Sequence, residues 1–176
     1  MSYKPITFFS VYSVVFKDEQ VDNLAEVLTQ HHPKMNIENW IVAEEKSGSH
    51  SKLVAGLAAI PWAVRVHDQT LNVFEQGIVG TLPEYRGRGI MRRLNKLFDT
   101  FLEYQKADFA MIQGIPGFYS KFGYRYAIEL ENHINISLDS ITEIPYTVRD
   151  ADSTDISFLR ELSERKSTEL DLSVLR

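Results

Sequence analysis

Apolar positions along the chain change period from one stretch to the next. Residues 6–16, ITFFSVYSVVF, form a dense run rich in β-branched and aromatic side chains, which predicts a strand. The following stretch, KDEQVDNLAEVLTQHHP, places Val21, Leu24, Ala25, Val27 and Leu28 at helical spacing. Asp18 stands where a cap is needed, and Pro33 lies beyond the end. Residues 39–45, NWIVAEE, predict a short strand, and KSGSH predicts a turn. A long apolar strand follows over residues 52–66, with Pro61 implying a bulge, an edge or a break. HDQT then turns the chain into residues 71–82, LNVFEQGIVGTL, so the two strands read as a hairpin.

Helical spacing returns with Ile90, Leu94, Leu97, Phe98, Phe101 and Leu102, while Arg92, Arg93, Lys96 and Asp99 lie off that stripe. Residues 107–114 predict a short buried strand, and IPGFYSKFG a turn with a short helix ending at Gly123. YRYAIEL and HINISL predict two further strands. Strands alternating with helices, some of them hairpins, argue for an α/β fold with a mixed sheet. Its expected core is the stripe of the long helix and the strands at 53–60, 73–81 and 109–112. The chain then opens again: a strand at 146–149, an Asp/Ser/Thr cluster, and a helix carrying Ile156, Leu159 and Leu162. The N-terminus has the same order. Residues 1–145 are therefore expected to form one domain. Residues 146–176 are either a terminal helix docked on it or the first strand and helix of a second, similar unit.

Composition narrows the class. The chain has 176 residues, 44% hydrophobic and 24% charged, which suits a globular domain of ordinary size. The net charge of -5 argues against a general nucleic-acid coat. The lack of cysteine excludes disulfides, thiolate zinc sites and a cysteine nucleophile, and fits a reducing compartment. The five histidines are scattered, so no metal site is expected. No apolar run approaches the ~20 residues that span a bilayer. The run at 6–16 has only Lys4 before it and no cleavage site after it, so it reads as a strand and the protein as cytoplasmic.

One stretch departs from this balance. Glu84 to Lys96 carries five basic residues and one acid, a local charge of +4. Gly87 and Gly89 stand before the helix, where backbone N–H groups lack partners and a ligand can approach the main chain. Basic residues in a first turn oppose the helix dipole unless an anion sits among them. The stretch lacks the Gly-Lys-Ser/Thr of a P-loop, and Arg92 stands where a dinucleotide fingerprint needs its third glycine.

VGTLPEYRGRGIMRRL strongly resembles the cofactor signature of the GCN5-related N-acetyltransferases, the GNAT superfamily, an Arg/Gln-x-x-Gly-x-Gly/Ala turn. Arg86 and Gly89 match it; Met91 replaces the small residue. Downstream, GFYSKFGY, residues 117–124, is similar to the family's late FYxxxGF/Y motif, in the family's order and spacing. Together with the second opening, the pattern resembles the enhanced-intracellular-survival branch, whose members carry tandem acetyltransferase-type units and a sterol-carrier-like domain. The resemblance spans roughly residues 6–138 and is specific over 77–94 and 117–127.

The resemblance implies a GNAT fold: a mixed central sheet of about six to seven strands, flanked by helices, with a V-shaped gap between two central parallel strands. It implies acetyl-CoA as co-substrate, its pantetheine paired with Val79, Gly80 and Thr81 and its pyrophosphate on the backbone of Arg86, Gly87, Arg88, Gly89, Ile90 and Met91. The implied activity is N-acetyl transfer to a primary amine of a small molecule or peptide, by direct attack on the thioester. A backbone N–H near Thr81 or Leu82 would face the oxyanion. Tyr119 matches the tyrosine that protonates the departing thiolate. The general base stays open between Glu75, His67 and, as in the tandem branch, a carboxylate ending a longer polypeptide. Glu19, Asp22, Glu44 and Glu45 are the acids an amine-selecting pocket would draw on. Neither nucleic acid nor membrane is an expected partner; an assembly of identical copies stays compatible with the sequence. The alternative is a non-catalytic acyl-CoA-binding or regulatory module, a reading that Met91 favours.

Overall fold

The computed structural model describes Val15 and residues 19–115, 117–127 and 149–167. The chain divides into two compact units, residues 1–125 and 126–176. In the first, helix α1 (Glu19–His31) leads through a capped turn to β1 (Trp40–Ser47), β2 (His50–Val66) and β3 (Gln69–Thr81). Helix α2 (Ile90–Gln105) and strand β4 (Phe109–Met111) follow, then a 3-10 turn at Tyr119–Phe122.

The four strands lie in sequence order, the first three antiparallel and β4 parallel to β3. This mixed sheet with its helices has the expected α/β character. The β1–β2 and β2–β3 hairpins appear where the turn residues put them, the second turning at His67, whose φ is 55°. Pro61 is accommodated because β1 pairs with β2 only as far as Ala58. Beyond that point the β1-facing edge of β2 has no partner in the described sheet, so the missing N–H breaks no rung there.

Alternation along the strands sends side chains to two cores. One face packs Trp40, Ala58 and Ile60 against Ala25 of α1 and Met35. Trp40 Nε1 donates to Thr29 Oγ1 of α1 at 3.0 Å, so the indole is buried without losing its hydrogen bond. The other face packs Ala55, Leu57, Ala59 and Phe74 against Leu94 and Phe98 of α2. Phe98 is 1% and Leu94 2% exposed, and burial on this scale stabilises by about 1.5–3 kcal/mol per side chain.

Some expectations need correction. Val15, placed in a strand by its apolar neighbours, is helical; the rest of 6–16 lies outside the described residues. A short apolar run fits a buried helix as well as a strand, because periodicity alone does not separate them. In α2, Leu97 is 53% exposed and Asn95 is buried in its place. The expected core strand at 109–112 is only partly buried, with Phe109 44% exposed, and it is short. Residues 124–127 form no strand; the remainder of YRYAIEL and all of HINISL lie outside the described residues, as does Asp18.

The second unit is described over 126–127 and 149–167. Asp152 caps a 3-10 turn at Ser153–Asp155, which runs into α3 (Ile156–Ser167). Arg149 grips Asp155 with both guanidinium nitrogens, at 2.7 and 2.8 Å. Residues 146–148 of the expected strand lie outside the described residues.

Candidate active site

The site is assembled where β3 outruns its parallel neighbour. Pairing between β3 and β4 covers Val73–Glu75 and ends at the rung Glu75–Met111, while β3 continues to Thr81. Just beyond that rung β3 bulges. Gly77 pairs with Ala58 and Gly80 with Gly56, so β3 uses one residue more than β2, and Ile78 takes a φ of 46°. A bulge bends its strand and increases the local twist. The result is a β3 edge over residues 76–81, facing away from β2, that pairs with no strand among the described residues.

The direction of individual amides follows from one hydrogen bond. Leu82 N–H donates to Val54 O at 2.9 Å, toward β2. Successive residues alternate, so the N–H and C=O of Thr81 point to the free edge. Arg86 Nε confirms this by reaching Thr81 O at 3.2 Å. Of the two amides expected near an oxyanion, that of Leu82 is therefore already committed and that of Thr81 faces the gap.

From Thr81 the chain passes through a 3-10 turn, Pro83–Tyr85, into the glycine-rich entry to α2. Gly87 and Gly89 have φ of 75° and 74°, a region that costs other residues about 1–2 kcal/mol. A Cβ on either would project into open space. Gly89 is the N-cap and supplies no side-chain cap, and the first turn of α2 contains no acid. Within α2, Arg93 N–H bonds Gly89 O, so the N–H groups of Ile90, Met91 and Arg92 have no intrahelical acceptor. Arg88 is drawn back by its bond to Glu84 O at 2.9 Å and lies 4.8 Å from the Tyr85 ring centroid. Glu84, the one acid of the stretch, is bound by Lys52 at 3.0 Å. Tyr85 in turn donates its hydroxyl to Glu45. The Met91 side chain packs into the core beside α2.

The tyrosine turn comes next. Tyr119 leads the 3-10 turn 119–122, which Gly123 ends at φ 93°. Its ring touches those of Phe118 and Tyr124, at 4.9 and 6.0 Å between centroids. Gly114 lies flat against it: a Cβ there would stand 2.4 Å from Tyr119 Cδ2. Burial pushes the Tyr119 phenol above the ordinary tyrosine value. Tyr124 is pushed up further, by burial first and then by the Asp99 carboxylate.

On the other face of β3, Glu75 accepts a hydrogen bond from Trp62 Nε1 at 3.0 Å, and the Trp62 ring meets that of His32 edge-on at 6.1 Å. His67 stands in the exposed hairpin turn, at the opposite end of β3 from Thr81. Glu44 and Glu45 lie on the exposed half of β1; the side chains of Glu19 and Asp22 are not among those described. No group of three or more His, Asp or Glu side chains among the described residues is arranged to hold a metal.

A family model described as an acetyltransferase (GNAT) domain matches residues 6–127, more than half of the chain. The chain belongs to the GNAT acetyltransferase family. Solved structures share this GNAT fold. A probable N-acyltransferase from Enterococcus faecalis is 20% identical, with a TM-score of 0.55 over 70% of this chain and 30% of its own. Eis1 from Mycobacterium abscessus is 17% identical, with a TM-score of 0.52 over the same shares, 70% and 30%. An aminoglycoside acetyltransferase from an uncultured soil metagenomic sample is 18% identical, with a TM-score of 0.51 over 78% of this chain and all of its own. No curated protein matches the sequence. The chain thus spans under a third of the first two structures and the whole of the third.

Sequence reasoning assigned no role to Gln76, Asn95, Gly114 or Tyr124, which lie beside Tyr119 or behind the start of α2. The first two carried a signal: Gln76 alternates with Phe74 along β3, and Asn95 stands four residues after Met91 and three before Phe98, so each amide falls on an apolar face whose burial it must satisfy.

Proposed function

We propose that this GNAT domain binds acetyl-CoA along the free edge of β3 and at the start of α2, and transfers the acetyl group to a primary amine. The observation that carries the reading is the uncapped, acid-free N-terminus of α2, continuous with the end of β3 at Thr81, beyond the described pairing with β4. Three N–H groups without an intrahelical acceptor, at the positive end of a helix, suit a diphosphate. Val79, Gly80 and Thr81 offer strand-like pairing to the pantetheine amides, and Gly87 and Gly89 leave Arg86–Met91 open to phosphate. Acetyl-CoA supplies an activated carbonyl carbon, to which the amine nitrogen bonds as the C–S bond breaks.

The chain's own groups handle the protons and the charge. Thr81 N–H presents a donor on the gap side, where charge develops on the carbonyl oxygen. Tyr119 supplies a proton to the leaving sulfur, and its raised pKa keeps that proton in place at neutral pH. Glu75 takes the amine proton, directly or through water. It sits at the last β3–β4 rung, beside the mouth of the gap, and Trp62 Nε1 holds its carboxylate. Of the open candidates for the base, the position of Glu75 favours it over His67.

The acceptor is a small-molecule or peptide amine. The repeated order of acidic cap and amphipathic helix supports reading residues 146–176 as the beginning of a second unit. The support that Met91 lent to a non-catalytic module is weakened, since its side chain packs against the core beneath α2. The test is release of CoA thiol from acetyl-CoA over a broad panel of amines. Turnover that falls by about 10²–10⁴ in Tyr119→Phe is the expected result. Tight binding of acetyl-CoA with no turnover on any amine would favour the binding module instead.

A further inference from the structure

Between the tyrosine turn and the first turn of α2 runs a chain of hydrogen bonds through the interior. Tyr124 OH donates to Gln76 Oε1 at 2.7 Å. Gln76 Nε2 donates to Asn95 Oδ1 at 3.2 Å. Asn95 Nδ2 donates to Met91 O at 2.9 Å. Gln76 is 2% and Asn95 5% exposed. Amides this deep in an apolar layer destabilise the fold unless they are bonded, and these two bond chiefly to each other and to the two ends of the chain.

The direction of the chain is fixed at its far end. A backbone carbonyl can only accept, so Asn95 must turn its NH2 toward Met91 and its oxygen toward Gln76. Gln76 must then offer NH2 to Asn95 and its oxygen to Tyr124, which leaves Tyr124 as the donor. Its phenolic proton is thereby committed, while Tyr119, whose ring meets Tyr124 edge-on, keeps its own. The two tyrosines of GFYSKFGY are separated in role by this asymmetry.

We propose that Tyr124, Gln76 and Asn95 are positioning residues, a one-way relay that anchors the wall against which Tyr119 is set to the same helical turn that forms the phosphate cradle. Tyr119 is then held from two sides, by Gly114 and by the Tyr124 ring. The inference rests on the proposed acetyl transfer for its kinetic consequence, but the relay itself is observable without turnover.

The test uses Tyr124→Phe, which removes one hydroxyl and keeps the ring. Its kcat is expected to fall about 10-fold, with KM for acetyl-CoA within about twofold. In a Tyr119→Phe background the same substitution is expected to cost nothing further. Equal losses in both backgrounds, or none in either, would overturn the proposal. A second measurement stands apart from activity. Proton NMR of the intact chain is expected to show a Tyr124 hydroxyl resonance protected from water exchange, lost in Gln76→Met and in Asn95→Leu. If wild type turns over no amine, acetyl transfer fails as a reading, and the relay is decided by that resonance. Its absence from folded wild-type protein contradicts the relay.

Discussion

Gly114→Ala isolates the position of Tyr119 from its chemistry. Gly114 has an ordinary φ, so alanine introduces no backbone strain there; the effect is steric. The new Cβ would stand 2.4 Å from Tyr119 Cδ2 and 2.6 Å from Cε2. An ordinary contact at these atoms is about 3.4–4 Å, so the ring must retreat by roughly 1 Å. It is only partly buried and can do so, which holds the stability loss toward the lower end of the ~1–3 kcal/mol typical of overpacking. The rate has less tolerance. A displacement of about 1 Å in a catalytic group costs on the order of 10²-fold. Steady-state kinetics with an accepted amine, calorimetry with acetyl-CoA and a melting curve separate these effects. The expected pattern is a kcat lowered by about 10²-fold, acetyl-CoA affinity within about twofold and a folded protein. In Tyr119→Phe, adding Gly114→Ala should do little more. A kcat near the wild-type value in folded Gly114→Ala would refute the claim that the placement of the Tyr119 ring matters to the reaction.

Other outcomes follow from the same geometry. Gly89→Ala is expected to lose about 1–2 kcal/mol from its positive φ, and to weaken acetyl-CoA binding about 10-fold because the methyl takes up the open space through which a ligand would approach the backbone, as calorimetry would show. Glu75→Gln should lower kcat/KM by about 10²-fold; an unchanged rate in the folded variant would reassign the base. The folded pKa of Tyr124 lies above its unfolded value of about 10. Its stabilising effect is therefore complete below pH ~10 and is lost as pH rises, because the unfolded chain ionises first. Melting curves above pH ~10 should fall less steeply in Tyr124→Phe than in wild type, with no difference in slope near neutrality.

Local signals exposed much of the architecture. The hairpins announced themselves through turn residues between apolar runs, and α2 through its stripe and preceding glycines. Pro61 pointed to a bulge, an edge or a break, and it falls where the described pairing of β2 with β1 has ended at Ala58. The candidate cradle was proposed from glycine and arginine at a strand-to-helix junction, a placement that makes little sense without an anion. What stayed hidden depended on contacts distant in sequence. Gln76 and Tyr124 are 48 residues apart, and no spacing rule joins them. Asn95 took the buried position expected of Leu97 because the helix turns its polar residue toward Gln76. Gly114 resembled any loop glycine until the Tyr119 ring was found lying on it. Met91 looked like a defect in the motif because the direction of its side chain is set by packing.

The claim on which the account stands is that main-chain nitrogens at the start of α2 and along the end of β3 bind the cofactor. Backbone amide chemical shifts of the full chain, followed by NMR while CoA is added, test it most directly. The account predicts saturable shifts concentrated at residues 79–81 and 87–92, weakened in Gly89→Ala. Shifts confined to another face of the domain, or none at millimolar CoA, would contradict it.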